Sequence, residues 1–172
     1  NRPKLACRAR VREGDVLSAI ATLPIIKDLV VKRDGIARQM KGYNNIPHKN
    51  DLNEDADKSY HNLTACIECY ACLDGCPSHA KNNIVDTQNN EAYKYGNPYS
   101  YLKIQRLLLD PLTPDSEKHK LIDKAKRLGL DIYKREYTNL KIKCGVGINL
   151  KDEVIRPLLD AAYGDELEKE NK

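Results

Sequence analysis

The most constraining feature of the sequence is a short run that holds four of its six cysteines. The four are Cys66, Cys69, Cys72 and Cys76, and Pro77 follows the last of them directly. Cysteines this close together strain any disulfide bond between them. The long insert that separates the two Cys pairs of a zinc ribbon is also missing. The run therefore predicts that several thiolates surround one inorganic centre.

The spacing Cys-x2-Cys-x2-Cys-x3-Cys-Pro is typical of the ligands of an iron–sulfur cluster. Short spacers allow three thiolates to curl around one face of a cubane while backbone N–H groups point at its sulfurs. Pro77 turns the chain away from the cluster, and because it has no N–H it leaves no donor unused. An iron–sulfur cluster is the main prediction, and a zinc ion is the alternative.

The fourth ligand is not settled by the run itself. In ferredoxins with two such runs, the fourth Cys of each run binds the other cluster, so the first three need a distant partner. Cys144 is the downstream candidate, and Gly145 and Gly147 beside it let the backbone approach a bulky cluster. Two assignments stay open. Either Cys144 completes a [4Fe–4S] site, or Cys76 completes it and Cys144 is a buried structural cysteine.

Composition narrows the remaining function classes. The 172 residues include ten Tyr but no Phe or Trp, which predicts an aliphatic core with Tyr at its edges. Interspersed charges with a net value of +4 argue against a nucleic-acid arm, and Arg8, Arg10 and Arg12 indicate a solvated face or a subunit interface. Residues 16–31 are too interrupted to span a membrane. None of the four His has zinc-like spacing, although His79 is close enough to the run to bond near a cluster.

Periodicity predicts a mainly α chain. We expect a strand over residues 1–12, an extended connector over 22–31 and a helix from Lys32 to Gln39. A loop over residues 43–52 precedes a helix that leads into Cys66. Asp51 or Asn53 is the expected N-cap of that helix.

The C-terminal half predicts three helices after a polar loop over residues 82–97. The first begins at Pro98, the second is capped by Ser116 and closed by Gly129, and the third covers residues 150–163. Pro157 is expected to kink the third helix, and the charged residues 165–172 are expected to fray.

Several of these segments together resemble the iron–sulfur subunit of succinate dehydrogenases and fumarate reductases. The matching motifs occur in the family's order and cover nearly the whole chain, which corresponds to the C-terminal part of a family member. They are Leu5-Ala6-Cys7, the Pro-x-Ile-Lys-Asp-Leu-Val segment in residues 24–30, the cysteine run 66–77, Gly96-Asn97-Pro98, Asp110-Pro111 and the Cys-Gly-Val-Gly-Ile-Asn segment 144–149.

The resemblance implies an α-helical ferredoxin-like domain preceded by a short β remnant and an extended connector. Residues 1–42 correspond to the remnant of a plant-type ferredoxin domain with its connector. Residues 43–164 correspond to the α-helical ferredoxin domain, and residues 165–172 form a charged tail. Because the chain opens on Asn1 rather than Met, we expect a processed form or a fragment.

The resemblance also implies which clusters are present. Cys7 corresponds to the last of four [2Fe–2S] ligands, so a [2Fe–2S] cluster is expected only if another chain supplies the other three. The two further Cys that the family places shortly before Cys144 are missing, which predicts that the third cluster is absent. Cys76 is then left over from its ligand set. The Trp that the family uses at its quinone site is missing too.

The function implied is an electron relay through one [4Fe–4S] cluster, held by Cys66, Cys69, Cys72 and Cys144, with no catalytic residue of its own. The expected partners are a flavoprotein subunit, a chain carrying the [2Fe–2S] domain and membrane-anchor subunits, but no nucleic acid. The complex would lie at a membrane, on the cytoplasmic face in a prokaryote or the matrix side in a mitochondrion. The alternative is an accessory subunit whose cluster only stabilises the fold.

Overall fold

A computed structural model describes residues 3–42, 49, 56–82 and 91–170, with side chains as far as Gly164. About half of the chain is helical, and a small two-stranded sheet is present, which confirms the prediction of a mainly α fold. No helix in these ranges is both long enough and apolar enough to cross a membrane. The expected caps Asp51 and Asn53, all of the expected loop 43–52 except residue 49, and half of the expected loop 82–97 lie outside the described residues.

The N-terminal arm, residues 3–33, differs from the prediction. The expected strand over residues 1–12 is wrong in its described part, where Ala6–Arg8 form a 3-10 turn. The N–H groups of Arg8 and Ala9 both bond back to the carbonyl of Leu5, so this segment closes on itself instead of pairing with a neighbour. The antiparallel sheet lies in the predicted connector instead, where β1, Ile25–Lys27, pairs with β2, Val30–Val31.

Two short helices follow the arm. Helix α1, Asp34–Gln39, lies inside the predicted helix, and α2, Lys58–Thr64, leads into the cysteine run. The Asp57 side chain caps α2 by accepting a hydrogen bond from the N–H of Tyr60. The predicted helix before Cys66 is therefore present, and its N-cap is Asp57.

The C-terminal half is a helical bundle. Helix α3, Pro98–Leu109, begins at the predicted proline, and Asn97 caps it. Helix α4, Asp115–Arg127, begins one residue before the predicted cap, and Gly129 then takes a left-handed conformation with a φ of 83°. The chain re-enters a helix after that glycine. This helix, α5, was not predicted and covers Leu130–Glu136.

The last helix starts irregularly. A π-helical turn, Lys151–Ile155, precedes α6, Arg156–Glu170. Pro157 lacks the N–H that would bond four residues back, so the irregular turn falls where the sequence predicts a kink. The helix extends to Glu170, into the segment that was expected to fray.

The bundle core is aliphatic, as predicted, but two tyrosines lie at its centre rather than at its edges. Tyr101 and Tyr133 are fully buried and pack edge to face, with ring centroids 5.1 Å apart. Both hydroxyls have partners, which removes the cost of burying them. Tyr101 donates to the carbonyl of Leu128 at 3.0 Å, and Tyr133 contacts Cys76. The cysteine run packs against this core.

Candidate metal centre

The cysteine run follows α2 as a series of tight turns. Glu68 and Tyr70 adopt left-handed backbone conformations, with φ values of 56° and 58°, on either side of Cys69. Side chains with a Cβ rarely adopt this conformation, and when they do it is held by the surrounding structure. The alternation coils the backbone, and a 3-10 turn, Ala71–Leu73, continues it through Cys72.

The structure brings the distant Cys144 to this coil. Cys66, Cys69, Cys72 and Cys144 all line one pocket, although Cys144 lies more than 70 residues further along the chain. Gly145 makes the approach possible, because a Cβ at that position would lie 3.1 Å from the Sγ of Cys69. The four cysteines that the sequence predicts as ligands are therefore the four that share this pocket.

Apart from Glu68, the other side chains of the pocket wall are apolar or aromatic. Tyr70 and Tyr99 pack against each other with ring centroids 5.0 Å apart, and the Arg33 guanidinium lies 5.7 Å from the Tyr70 ring centroid. Leu102 and Leu150 cover the inner side and are almost fully buried. An apolar shell of this kind limits water access, which is one of the factors that sets the potential of a metal centre.

The electrostatics of the pocket favour the protonated form of two of its thiols, those of Cys66 and Cys72. Burial, and then the neighbouring thiol of Cys66, raises the pKa of Cys72 far above its usual value. Burial also raises the pKa of Cys66, while the ammonium group of Lys103 acts in the opposite direction. Lys103 forms a 2.7 Å ion pair with Glu68 and lowers the pKa of that carboxyl group. Loading a metal centre must therefore release protons from the thiols.

The donor set of the pocket consists of thiols, the usual protein ligands of iron–sulfur clusters. Within the described ranges, no three His, Cys, Asp or Glu side chains are grouped closely enough to hold one metal ion. Around a cubane each thiolate binds a different iron, so its four thiolates surround a larger body than those of a tetrahedral zinc site. In this structure four thiols line one pocket, and a glycine stands at the closest backbone approach.

Cys76, the last cysteine of the run, takes a different position. Its side chain is 3% exposed, it packs in the bundle core, and it is not part of the pocket wall. Its Sγ lies 2.9 Å from the Tyr133 hydroxyl and 3.3 Å from the Ser78 hydroxyl, and it accepts a hydrogen bond from the N–H of His79. The thiol of Cys76 is thus surrounded by protein donors and acceptors.

The surroundings of Cys76 form a closed polar network. The Ser78 hydroxyl donates to the carbonyl of Gly96 and lies 2.9 Å from the Tyr133 hydroxyl. Burial, and then the adjacent Cys76, raises the pKa of Tyr133 well above its usual value, so this phenol stays protonated. Sequence reasoning missed Tyr133 and Ser78 as partners of Cys76, since no spacing pattern links them to the run.

Two other predicted residues lie outside the pocket. Cys7 is exposed on the 3-10 turn of the N-terminal arm. His79 is buried, and its Nε2 lies 2.7 Å from the carbonyl of Thr22, which ties the arm to the cysteine run. Burial lowers the pKa of His79. The neutral side chain of His79 therefore links the arm to the cysteine run. Its contact with a cysteine is made by its backbone N–H, which donates to Cys76.

Comparisons with known proteins give three relatives. The chain is 30% identical over 112 residues to a subunit of the fumarate reductase (CoM/CoB) of Methanothermobacter marburgensis, and the match covers 62% of this chain and 21% of that protein. It is 26% identical over 83 residues to an uncharacterised iron–sulfur protein of Methanocaldococcus jannaschii, covering 44% and 17% of the two chains. A further uncharacterised iron–sulfur protein, from Methanococcus maripaludis, is 25% identical over 120 residues, or 63% and 22%.

The matched region spans about a fifth of the length of these relatives. No family model matches the chain, and no solved structure matches it significantly. The names of the relatives agree with the motifs and with the pocket that gathers four cysteines. The chain is therefore related to the iron–sulfur subunits of the fumarate reductase and succinate dehydrogenase type.

Proposed function

We propose that this chain is an electron-transfer subunit that relays single electrons through one [4Fe–4S] cluster held by Cys66, Cys69, Cys72 and Cys144. Its kinship with iron–sulfur proteins and with a fumarate reductase subunit supports an iron–sulfur electron-transfer role. The type of the cluster and the number of clusters per chain belong to this proposal.

One observation carries the ligand assignment. Cys144 lines the same pocket as the first three cysteines of the run, whereas Cys76 is held in the core by Tyr133 and Ser78. Of the two assignments that the sequence leaves open, this arrangement favours Cys144 as the fourth ligand. It also supports a single cluster, because the thiol that a second cluster would use already has protein partners.

The chain's own residues would hold the cluster and set its surroundings. When bound, a [4Fe–4S] cluster supplies reversible transfer of one electron. The four thiols bind as thiolates, and the apolar wall of Leu102, Leu150 and the Tyr70–Tyr99 pair keeps water away. Lys103 places a positive charge near Cys66, which favours the thiolate form.

The proposed assembly follows from the kinship with a subunit of fumarate reductase. A flavoprotein subunit would exchange electrons with this chain. A second chain would carry the [2Fe–2S] domain to which Cys7 corresponds, and membrane-anchor subunits are further candidates. The complex would then be peripheral at a membrane, on the cytoplasmic face in a prokaryote or the matrix side in a mitochondrion.

A structural role for the cluster is the second candidate. The pocket joins three separate parts of the chain, namely the cysteine run, helix α3 and the segment around Cys144, so a bound cluster would staple them. Metal sites of this kind contribute directly to the free energy of folding. A staple needs no redox activity, and this difference separates the two functions.

Anaerobic reduction tests the relay. The purified protein is treated with dithionite, and we expect an S = 1/2 EPR signal from a reduced cluster. The signal should disappear when the isolated flavoprotein subunit and its oxidised substrate are added. A cluster that stays EPR-silent and exchanges no electrons would contradict the relay and favour the structural role.

A further inference from the structure

A basic groove lies directly beside the proposed cluster site. It has a volume of about 550 Å³ and runs between the N-terminal arm and the loops that carry Asp74 and Cys144. Leu5 of the arm packs against the cluster loop here, since a Cβ on Gly145 would lie 3.2 Å from the Leu5 Cδ2. Cys144 itself forms part of the groove wall.

The charges of this groove are unbalanced. Four exposed cations line it, against the single carboxylate of Asp74, which leaves an excess of three positive charges (four minus one). Among the residues that the structure describes, none of the four forms an ion pair. Two come from the arm and two from the loop before Cys144: Lys4, Arg8, Lys141 and Lys143.

We propose that this groove is the docking site for an acidic loop of a one-electron carrier protein, which delivers electrons through the Cys144 edge of the cluster. The proposal rests on the proposed function and names the partner class for the same site. Unpaired cations around a concave site attract an acidic partner and raise its association rate. The groove wall includes the ligand Cys144, so a bound carrier lies next to the cluster.

The shape of the groove disfavours other polyanions. Nucleic-acid binding proteins neutralise many phosphates along a groove or stripe, and four cations around one cavity are too few for that. A flat, anionic membrane surface cannot enter a cavity whose walls are formed by the arm and the cluster loops. A projecting acidic loop fits both the size and the charge of the site, and carrier complexes of this kind have small interfaces.

The transfer itself is simple to balance. The reduced carrier loses one electron, and the oxidised cluster gains it, while no covalent bond forms or breaks and no proton moves. The protein's contribution is to hold the two redox centres close together while the electron is transferred.

The test uses an acidic plant-type [2Fe–2S] ferredoxin as the probe and the complete, cluster-loaded chain. We reverse two charges of the groove with Lys141→Glu and Lys143→Glu, and in a second variant we reverse Lys4 and Arg8, which lie far from Cys144 in sequence. At low salt we expect the Kd of oxidised ferredoxin and the second-order rate of electron transfer from reduced ferredoxin to worsen by about tenfold or more. At about 1 M salt the difference should nearly vanish.

Two controls separate docking from damage to the site. The variant Lys58→Glu with Arg127→Glu makes the same change in net charge at two exposed cations outside the groove wall, and it should alter both quantities less than about twofold. Reduction by the methyl viologen cation radical should be unchanged or faster in the groove variants, because its charge is opposite to that of ferredoxin.

The possible results decide between the two proposals. Equal slowing with ferredoxin and with methyl viologen, or equal effects of the groove and control variants, would overturn the docking site. If ferredoxin binds in a groove-dependent manner but no electron reaches the chain, the relay itself fails while the docking site stands. If inorganic phosphate competes with ferredoxin at low millimolar concentration and constant ionic strength, the groove is an anion pocket and the docking proposal is wrong.

Discussion

Two cysteines that the sequence presents as alternatives occupy opposite environments. Cys144 lies in a pocket with three other thiols and borders an open, basic groove. Cys76 is buried in the bundle core, within contact distance of the Tyr133 and Ser78 hydroxyls. The difference teaches that proximity in sequence does not decide which thiols share a pocket, because the backbone after Cys72 directs the next thiol away from its neighbours.

The physical reason lies in the turns around the two residues. Left-handed residues flank Cys69 and keep the first three thiols together, whereas Gly75, with a φ of 73°, turns the chain just before Cys76. The side chain of Cys76 then faces α5, where Tyr133 is fully buried. At Cys144 the neighbouring Gly145 permits the close approach that any side chain would block.

The largest expected effect is that of removing Cys144. We expect Cys144→Ser to lose most of its iron and its EPR signal, because serine is a poor replacement for a thiolate ligand of iron. The measurement is iron and acid-labile sulfide per chain after anaerobic reconstitution. Cys7→Ser is the matched control, since Cys7 is exposed and outside the pocket, and it should keep the iron content of the wild type. Full retention of iron in Cys144→Ser would contradict the assignment.

The second effect concerns the close approach at Gly145. Gly145→Ala adds a Cβ 3.1 Å from the Cys69 Sγ and 3.2 Å from Leu5, so we expect less iron per chain and faster loss of the cluster in air. Gly164→Ala is the matched control, because nothing lies within 4 Å of its added Cβ. Iron content and the rate of bleaching in visible absorbance are compared. Identical iron content and bleaching rates in the two variants would show that the close approach at Gly145 is not needed to hold the cluster.

The third effect should be on stability alone. Cys76→Ala removes a buried thiol and leaves two hydroxyls with fewer partners, so the free energy of unfolding should fall by about 1–3 kcal/mol. The iron content should not change. Urea denaturation under anaerobic conditions, followed together with iron analysis, measures both quantities. If the variant loses its iron, Cys76 is a ligand and the comparison between the two cysteines fails.

The smallest effect is expected for a single hydroxyl. Tyr133→Phe keeps the ring packed on Tyr101 but removes the contact with Cys76, which should cost about 1–2 kcal/mol of unfolding free energy. Tyr137→Phe provides the control, because within the described residues its hydroxyl makes a long, exposed contact of 3.3 Å with Asp152. Equal stability of both variants would show that the network around Cys76 contributes little.

Spacing arguments pointed to the cysteines that share the pocket, but they left the choice between Cys144 and Cys76 as the fourth open. The run supplied three of the four cysteines that line the pocket, Cys144 was one of two candidates for the fourth, and Pro98 marked the start of α3. The environment of Cys76 could not be predicted without the fold, because its partner Tyr133 belongs to α5. That helix was not predicted, because Gly129 is equally typical of a helix end. The strand expected at Cys7 failed because residues 5–9 bond among themselves.

Charge placement was also beyond the sequence. The net charge of +4 is spread along the chain, and the sequence alone gives no sign that Lys4 and Lys143 face the same groove. The Lys103–Glu68 ion pair beside the pocket joins residues 35 positions apart. Such long-range pairs depend on helix packing, which periodicity does not fix.

The central claim is one cubane per chain, and its most direct test is the ratio of iron and acid-labile sulfide to protein in the fully reconstituted chain. The account predicts about four irons and four sulfides per chain, with the same values in Cys76→Ala. Seven or eight irons per chain in the wild type, falling to about four in Cys76→Ala, would contradict it, because Cys76 would then serve a second cluster.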